Sequence, residues 1–307
     1  SNVAQVLKAF FIFCLVSSCV YIFNDLLDYE ADSAHNKKRL RPLPSGRISK
    51  PMAVLILSIM FISACLLLYT LRMPINFIYA VLLYALINLV YSTGLKHIPV
   101  LELILVSSGF VLRLVGGGEA LSIGLSPWII VATASLSLLI TVAKRRSDLV
   151  QKSDPGEQRA SLIGYNVEFL NSLLSILVSV TIVVYVIFSI SDYATERHGQ
   201  FIIFSSIPVL IGMFRFLQLA IVFERGDFPT ELITRDKGMV ASILLFVCIC
   251  SDREIIFSDC FYCFECVSSW VTGDWLGTAG RVAVIPYLSV SLISASEMNK
   301  IAKTFNE

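Results

Sequence analysis

Charge is scarce in this chain of 307 residues: Asp, Glu, Lys and Arg make up 15% of it, against 56% hydrophobic residues and a mean hydropathy of +0.77. That is the composition of a membrane protein and not of a water-soluble domain. The net charge of +1 argues against a nucleic-acid binder, which needs a concentrated basic face. Histidine is scarcer still, with three residues, and neither a histidine nor a cysteine stands out as a catalytic group. Of the eight cysteines, Cys14, Cys19 and Cys65 lie in apolar runs, where a thiol acts as a small hydrophobe, so no disulfide framework is read. The cluster Cys248, Cys250, Cys260, Cys263 and Cys266 lacks a nearby histidine and the paired spacing of a tetrahedral zinc site. The opening SNVAQVLKAFF has neither a basic n-region nor a small-residue cleavage site, so the first apolar run reads as a retained span. No solenoid-type repeat and no soluble domain is visible.

What the chain does contain is apolar runs long enough to cross a bilayer, near 5–23, 52–71, 75–92, 99–116, 126–143, 169–190 and 200–223. A shorter run at 239–250 follows, with weaker candidates at 255–272 and 282–295. The connections alternate in charge. One set carries Lys37, Lys38, Arg39, Arg41, Arg47 and Lys50, then Lys96, then Lys144, Arg145, Arg146, Lys152 and Arg159, then Arg225, Arg235 and Lys237. The other set carries only Arg72 and Arg197. The positive-inside rule makes the rich set cytoplasmic and brings every candidate site to one face of the membrane.

The polar residues gather most densely in NDLLDYEADSAHNKKRLRPLPSGRISK, residues 24–50. On a helix of about 100° per residue, Asn24, Asp25, Asp28 and Asp32 fall within one arc of roughly 100°. Four oxygen donors on one face suit Mg²⁺, a hard cation that commonly bridges carboxylates to phosphates. Lys38 and Arg41 follow directly, and Pro42, Pro44 and Gly46 predict a loop there. In YSTGLKHIPVLE, Tyr91 ends a span and Lys96 is either a phosphate donor or a positive-inside anchor, while Glu102, just inside the next helix, requires a partner or a metal. Arg113 returns to nearly the face of Glu102 but about 17 Å along the axis, so it either lines an internal cavity or snorkels outward near Gly116, Gly117 and Gly118. In AKRRSDL, Lys144, Arg145 and Asp148 share one arc and Arg146 points elsewhere, which makes either a phosphate-facing patch or ordinary positive-inside decoration. Asp227, Glu231, Arg235 and Asp236 lie in a third polar loop whose spacing identifies no chemistry.

NDLLDYEAD resembles the NDxxDxxxD signature of the UbiA superfamily of membrane-embedded prenyltransferases. HNKKRLRPLPSG, YSTGLKHIPVLELILVSSGFVLRLVGG and AKRRSDL are similar to one branch of it, the decaprenyl-phosphate phosphoribosyltransferases, and the likeness covers about residues 5 to 245. The resemblance implies an all-α polytopic transmembrane bundle over residues 1–250, lacking the family's first helix, followed by a divergent tail, 251–307. It implies a multi-pass protein of the bacterial inner membrane with a cytoplasmic site. The implied reaction moves a 5-phosphoribosyl group from phosphoribosyl pyrophosphate to a polyprenyl phosphate. Asp25, Asp28 and Asp32 would be catalytic through Mg²⁺, with Asn24 as a further ligand. Asn24, Lys38, Arg41, Tyr91 and Lys96 are expected on the substrates, as are Glu102, Arg113, Lys144, Arg145 and Asp148.

Ordinary prenyltransferases of the family carry a second acidic motif where this chain has Lys144, Arg145 and Arg146; Asp148 and Asp154 are six apart, not four. A basic second site suits two extra substrate phosphates, so transfer of a polyprenyl group to an aromatic or quinone-precursor acceptor ranks second. A non-catalytic transporter or lipid-binding protein ranks third. Its support is the intramembrane charges Glu102 and Arg113 and a glycine-rich break at 116–118.

Overall fold

Long apolar runs form helices, because in a bilayer each backbone polar group must be satisfied within its own segment. The structure, a computed structural model, describes residues 2–34, 38–151, 164–223 and 236–250. Among the described residues there is no strand. Six helices of spanning length are α1 (Asn2–Leu27), α3 (Lys50–Thr70), α4 (Ile75–Thr93), α5 (Leu101–Ala120), α6 (Pro127–Gln151) and α7 (Val167–Ser189). The seventh span joins a 3-10 stretch, Gln200–Ser205, to α9 (Ser206–Ile221). Shorter helices are α2 (Tyr29–Ala34), α8 (Asp192–His198) and α10 (Lys237–Cys250). The chain is thus an integral, multi-pass membrane protein. The candidates at 255–272 and 282–295, the loop residues Asp227, Glu231 and Arg235, and Cys260, Cys263 and Cys266 lie outside the described residues.

Local signals set the ends. Ser49 caps α3 through the Met52 N–H with Pro51 in the first turn, Asn166 caps α7 through the Phe169 N–H, and Gly94 closes α4. Two helices run further than the apolar pattern predicts. α1 continues past residue 23 into the acidic stretch, and α6 continues past 143, so AKRRSDL forms its last turns and does not open a loop. The arginines there find partners on neighbouring helices, so polarity brings no reason to stop.

Neighbours in sequence pack together: α4 on α5, α5 on α6, α6 on α7, α7 on α9 and α9 on α10, with α1 between α3 on one side and α4 and α5 on the other. Half of the α6 span is buried but only 11% of α3, so α6 is central and α3 faces lipid. Two cores result. One joins α1 to α4 and the end of α5 through Ile12, Phe13, Phe77 and Tyr84; the other joins α5, α6, α7 and α9 through Leu103, Leu139, Leu174 and Phe216. The expected break at Gly116–Gly118 is absent, since α5 stays helical to Ala120. Gly116 serves close approach instead: a Cβ there would stand 2.5 Å from the Phe13 ring of α1. Because the spans alternate in direction, the described connections that carry Arg41 and Lys96 lie at the same end of the bundle as the last turns of α6.

Candidate active site

α1 ends at Leu27 and α2 begins at Tyr29, yet the helical register survives the join. Asp28 N–H donates to Asn24 O at 2.9 Å and Asp32 N–H to Asp28 O at 2.8 Å. The acidic side chains therefore keep their common arc. Arg41 reaches them from the following loop, its Nη1 donating to Asp25 Oδ1 at 3.0 Å and Asp32 Oδ2 at 2.8 Å. That loop is shaped to deliver it: Leu43 is buried, Ser45 N–H bonds Arg41 O, Ile48 N–H bonds Pro42 O, and Gly46 takes φ +77°. Lys96 pairs with Asp28 from the turn between α4 and α5. The Lys50 ammonium lies 3.8 Å above the Tyr29 ring and ties α3 to α2. Asp32 is 1% exposed, whereas the side chains of Asp25 and Arg41 are each 30% exposed, so the cluster opens at one side.

A second charged group lies at the same end. Arg145 grips Glu102 with two nitrogens, Nε to Oε1 at 2.8 Å and Nη2 to Oε2 at 3.0 Å, and its Nη1 meets Asp148 at 3.3 Å. Glu102 and Arg145 are both buried, and Tyr91 lies in the last turn of α4. Glu102 thus has the partner its position requires. Arg146 turns away as the helical arc predicts, donating to Asn171 Oδ1 at 2.5 Å, Ala220 O at 2.7 Å and Ile221 O at 3.2 Å. It joins α6 to α7 and to the C-terminal carbonyls of α9. Lys144 is half-buried beside them.

The expected patch of Lys144, Arg145 and Asp148 does exist as a face. Its arginine is committed, however: all three nitrogens of Arg145 already meet carboxylates, so a phosphate would have to displace one. Arg113 turns inward and does not snorkel, with Nη2 donating to Tyr84 Oη at 2.7 Å and the guanidinium over the rings of Tyr84 and Phe110. It lies deep in the bundle, away from the acidic cluster. The Lys38 side chain, Lys37 and Asp154 are outside the described residues. Arg146 and Asn171 were not predicted to matter structurally, and Tyr165 was not singled out at all. Tyr165 follows Gly164 and precedes the capping Asn166, and that turn-like context was its only signal.

Does this set suit a metal? The donors are all oxygens, the amide of Asn24 and the carboxylates of Asp25, Asp28 and Asp32, as a hard cation prefers. Asn24 Oδ1 is buried and has no hydrogen-bond partner among the described residues, an uncommon state for an amide oxygen. Among the described residues no three acidic, His or Cys side chains converge at metal-ligand spacing. Arg41 and Lys96 draw the carboxylates to themselves, so the chemistry of the set fits Mg²⁺ and its spacing is that of a cluster neutralised by side chains.

Seven spans with carboxylates and cations gathered at one end make a polytopic membrane protein with a charged site on one side of the bundle. Residues 1–155 match the UbiA prenyltransferase family, and the chain belongs to that family of transferases. The chain is 30% identical over 254 residues to the decaprenyl-phosphate phosphoribosyltransferase of Mycolicibacterium smegmatis, covering 80% of this chain and 78% of that protein. It is 30% identical over 251 residues to the protein of the same name from Corynebacterium glutamicum, covering 80% and 74%. The fold is shared with a UbiA homolog from Archaeoglobus fulgidus solved bound to GPP and Mg²⁺, with a TM-score of 0.59, 16% identity, and coverage of 85% of this chain and 88% of that one.

Proposed function

We propose that the protein transfers a 5-phosphoribosyl group from phosphoribosyl pyrophosphate to a polyprenyl phosphate and releases pyrophosphate, at the cytoplasmic face of the membrane. The observation that carries the reading is the acidic arc of α1 and α2 threaded by Arg41 and Lys96, in a chain similar along most of its length to phosphoribosyltransferases. In the reaction the anomeric C–O bond breaks, its electron pair leaves with pyrophosphate, and an oxygen of the lipid phosphate forms the new bond. Asn24, Asp25, Asp28 and Asp32 would hold Mg²⁺, which when bound offsets the negative charge of the leaving diphosphate. Arg41 and Lys96 have side chains long enough to pass from carboxylate to phosphate oxygens, so they anchor the donor when the acids are taken up elsewhere. On α6, Lys144 shares a face with Arg145 and is assigned to the acceptor phosphate in this scheme. That acceptor is already an anion and needs no general base, in keeping with the lack of a candidate histidine.

The second reading, prenyl transfer to an aromatic acceptor, gains from the GPP held by the structural neighbour, and from the commitment of Arg145, which leaves the second site less basic than its sequence. The transporter reading loses its helix break. The deciding measurement is Mg²⁺-dependent pyrophosphate release from phosphoribosyl pyrophosphate and polyprenyl phosphate in detergent. Release that Asp28→Asn lowers about 100- to 1000-fold is expected. Absence of release, or release indifferent to that substitution, overturns the proposal, and turnover only of a prenyl diphosphate with an aromatic acid installs the second reading.

A further inference from the structure

The turn between α4 and α5 carries Lys96 and leads into α5, whose first turn holds Glu102, two residues beyond Val100. It is built on an unfavourable backbone. Val100 has φ +65° and ψ −49° and stands at the centre of a γ-turn closed by Leu101 N–H to Pro99 O at 2.7 Å. This hand of γ-turn is rare and strained, and positive φ is hardest on a β-branched residue. Such a conformation persists only where the surroundings over-determine it, and it tends to do so beside functional groups.

The restraint comes from the short segment that leads into α7. Tyr165 Oη accepts the Val100 N–H at 2.5 Å. One residue earlier, Gly164 lies so close to Pro99 that a Cβ would overlap the proline ring. Tyr165 is itself fixed. It is buried, its ring stacks on Phe169 with an interplanar angle of 15°, and it belongs to the core that contains Leu103, Leu139 and Leu170. A rigid post on the α6–α7 half of the molecule therefore holds the turn that reaches across to the acidic cluster on α1.

We propose that Tyr165 is a positioning residue for the donor end of the site: its hydroxyl keeps Val100 in the strained γ-turn and thereby aims Lys96 at Asp28. The inference deepens the proposed function, because the donor diphosphate is what Lys96 would meet there. Tyr165 touches no reacting atom in this scheme. It acts through the backbone of residues 96–102.

The test uses the full chain in detergent and the variant Tyr165→Phe, which keeps the ring, its stacking and its place in the core and removes only the hydroxyl. Amide exchange in a peptide covering 96–102 is expected to accelerate about tenfold, the ratio set by one hydrogen bond of ordinary strength. KM for phosphoribosyl pyrophosphate is expected to rise about tenfold while KM for the lipid phosphate stays put. Adding Val100→Gly, which adopts positive φ without steric cost, should return the donor KM most of the way to the wild-type value. Unchanged exchange, faster exchange with an unchanged donor KM, a parallel rise in both KM values, or no recovery with the glycine each overturn the proposal. Exchange requires no substrate. If the unaltered protein fails to use phosphoribosyl pyrophosphate, the substrate assignment falls and the exchange result still decides whether Tyr165 holds the turn.

Discussion

The acidic cluster on α1 and α2 and the arginine pair on α6 use the same chemistry, guanidinium against carboxylate, for opposite ends. At the first, one nitrogen of Arg41 is divided between Asp25 and Asp32, and two of the three side chains are 30% exposed. At the second, Arg145 meets Glu102 with two nitrogens and both residues are sealed from solvent. A partly open cluster in which one nitrogen is divided between two carboxylates can exchange partners more cheaply at its Asp25 side than a buried two-pronged pair, which cannot lose one member without stranding a charge. Charge sign alone does not separate the proposed ligand site from the structural tie; burial and the saturation of donors do.

That contrast can be broken most directly at Glu102. Glu102→Gln leaves the Arg145 guanidinium buried with Asp148 alone, and the expected loss is about 3–5 kcal/mol of stability. It is read as a large fall in melting temperature in detergent, with activity lost only as the fold is lost. If the substitution left the melting temperature alone and abolished turnover, Glu102 would belong with the substrate ligands. Asp28→Asn is the mirror experiment. It should lower the rate of pyrophosphate release about 100- to 1000-fold, the size of losing one electrostatic contact to developing charge, with little change in melting temperature because Asp28 is partly open to solvent.

The sequence pattern made the seven spans legible because continuous apolar runs leave the backbone one way to satisfy itself, and the shared arc of Asn24, Asp25, Asp28 and Asp32 follows from helical period alone. The angular split of Arg145 from Arg146 was legible for the same reason. What period could not reveal was partnership. Glu102 and Arg145 are 43 residues apart, and Arg146 meets carbonyls 74 and 75 residues away. Nothing local distinguishes a guanidinium that will find such partners from one left for phosphate. Val100 was likewise invisible, since its γ-turn is held by Tyr165, 65 residues further along the chain, and by Gly164 beside it.

Close approach between helices offers an intermediate test. Gly116→Ala puts a methyl group against the Phe13 ring and should cost about 1–3 kcal/mol. Because Phe13 sits on α1, which also carries the acids, the strain reaches the cluster through a rigid element. A moderate loss of both stability and turnover is expected. Loss of stability with turnover per folded molecule intact would show that the acidic arc tolerates a shift of α1, and so sharpen the view of it as the adaptable site.

The smallest effect belongs to a third guanidinium–carboxylate pair, Arg215 on α9 with Asp236 before α10. Its geometry copies the buried pair, Nε to Oδ1 at 3.0 Å and Nη2 to Oδ2 at 2.7 Å, but Arg215 is 31% exposed. The Arg215 hydrogen bonds hold the Asp236 carboxyl down at about 2, with the Met239 N–H adding to the effect. A carboxyl whose pKa is depressed on folding stabilises the fold above its ordinary pKa, near 4, and loses that contribution as pH falls through about 2. Asp236→Asn should therefore lower the melting temperature slightly at pH 7 and equally at pH 5, and the difference from wild type should vanish only under strong acid. Solvent screens this pair, so its shift should be well below that of Glu102→Gln. Equal shifts at the two sites would mean that two-pronged geometry, and not burial, sets the strength of these ties.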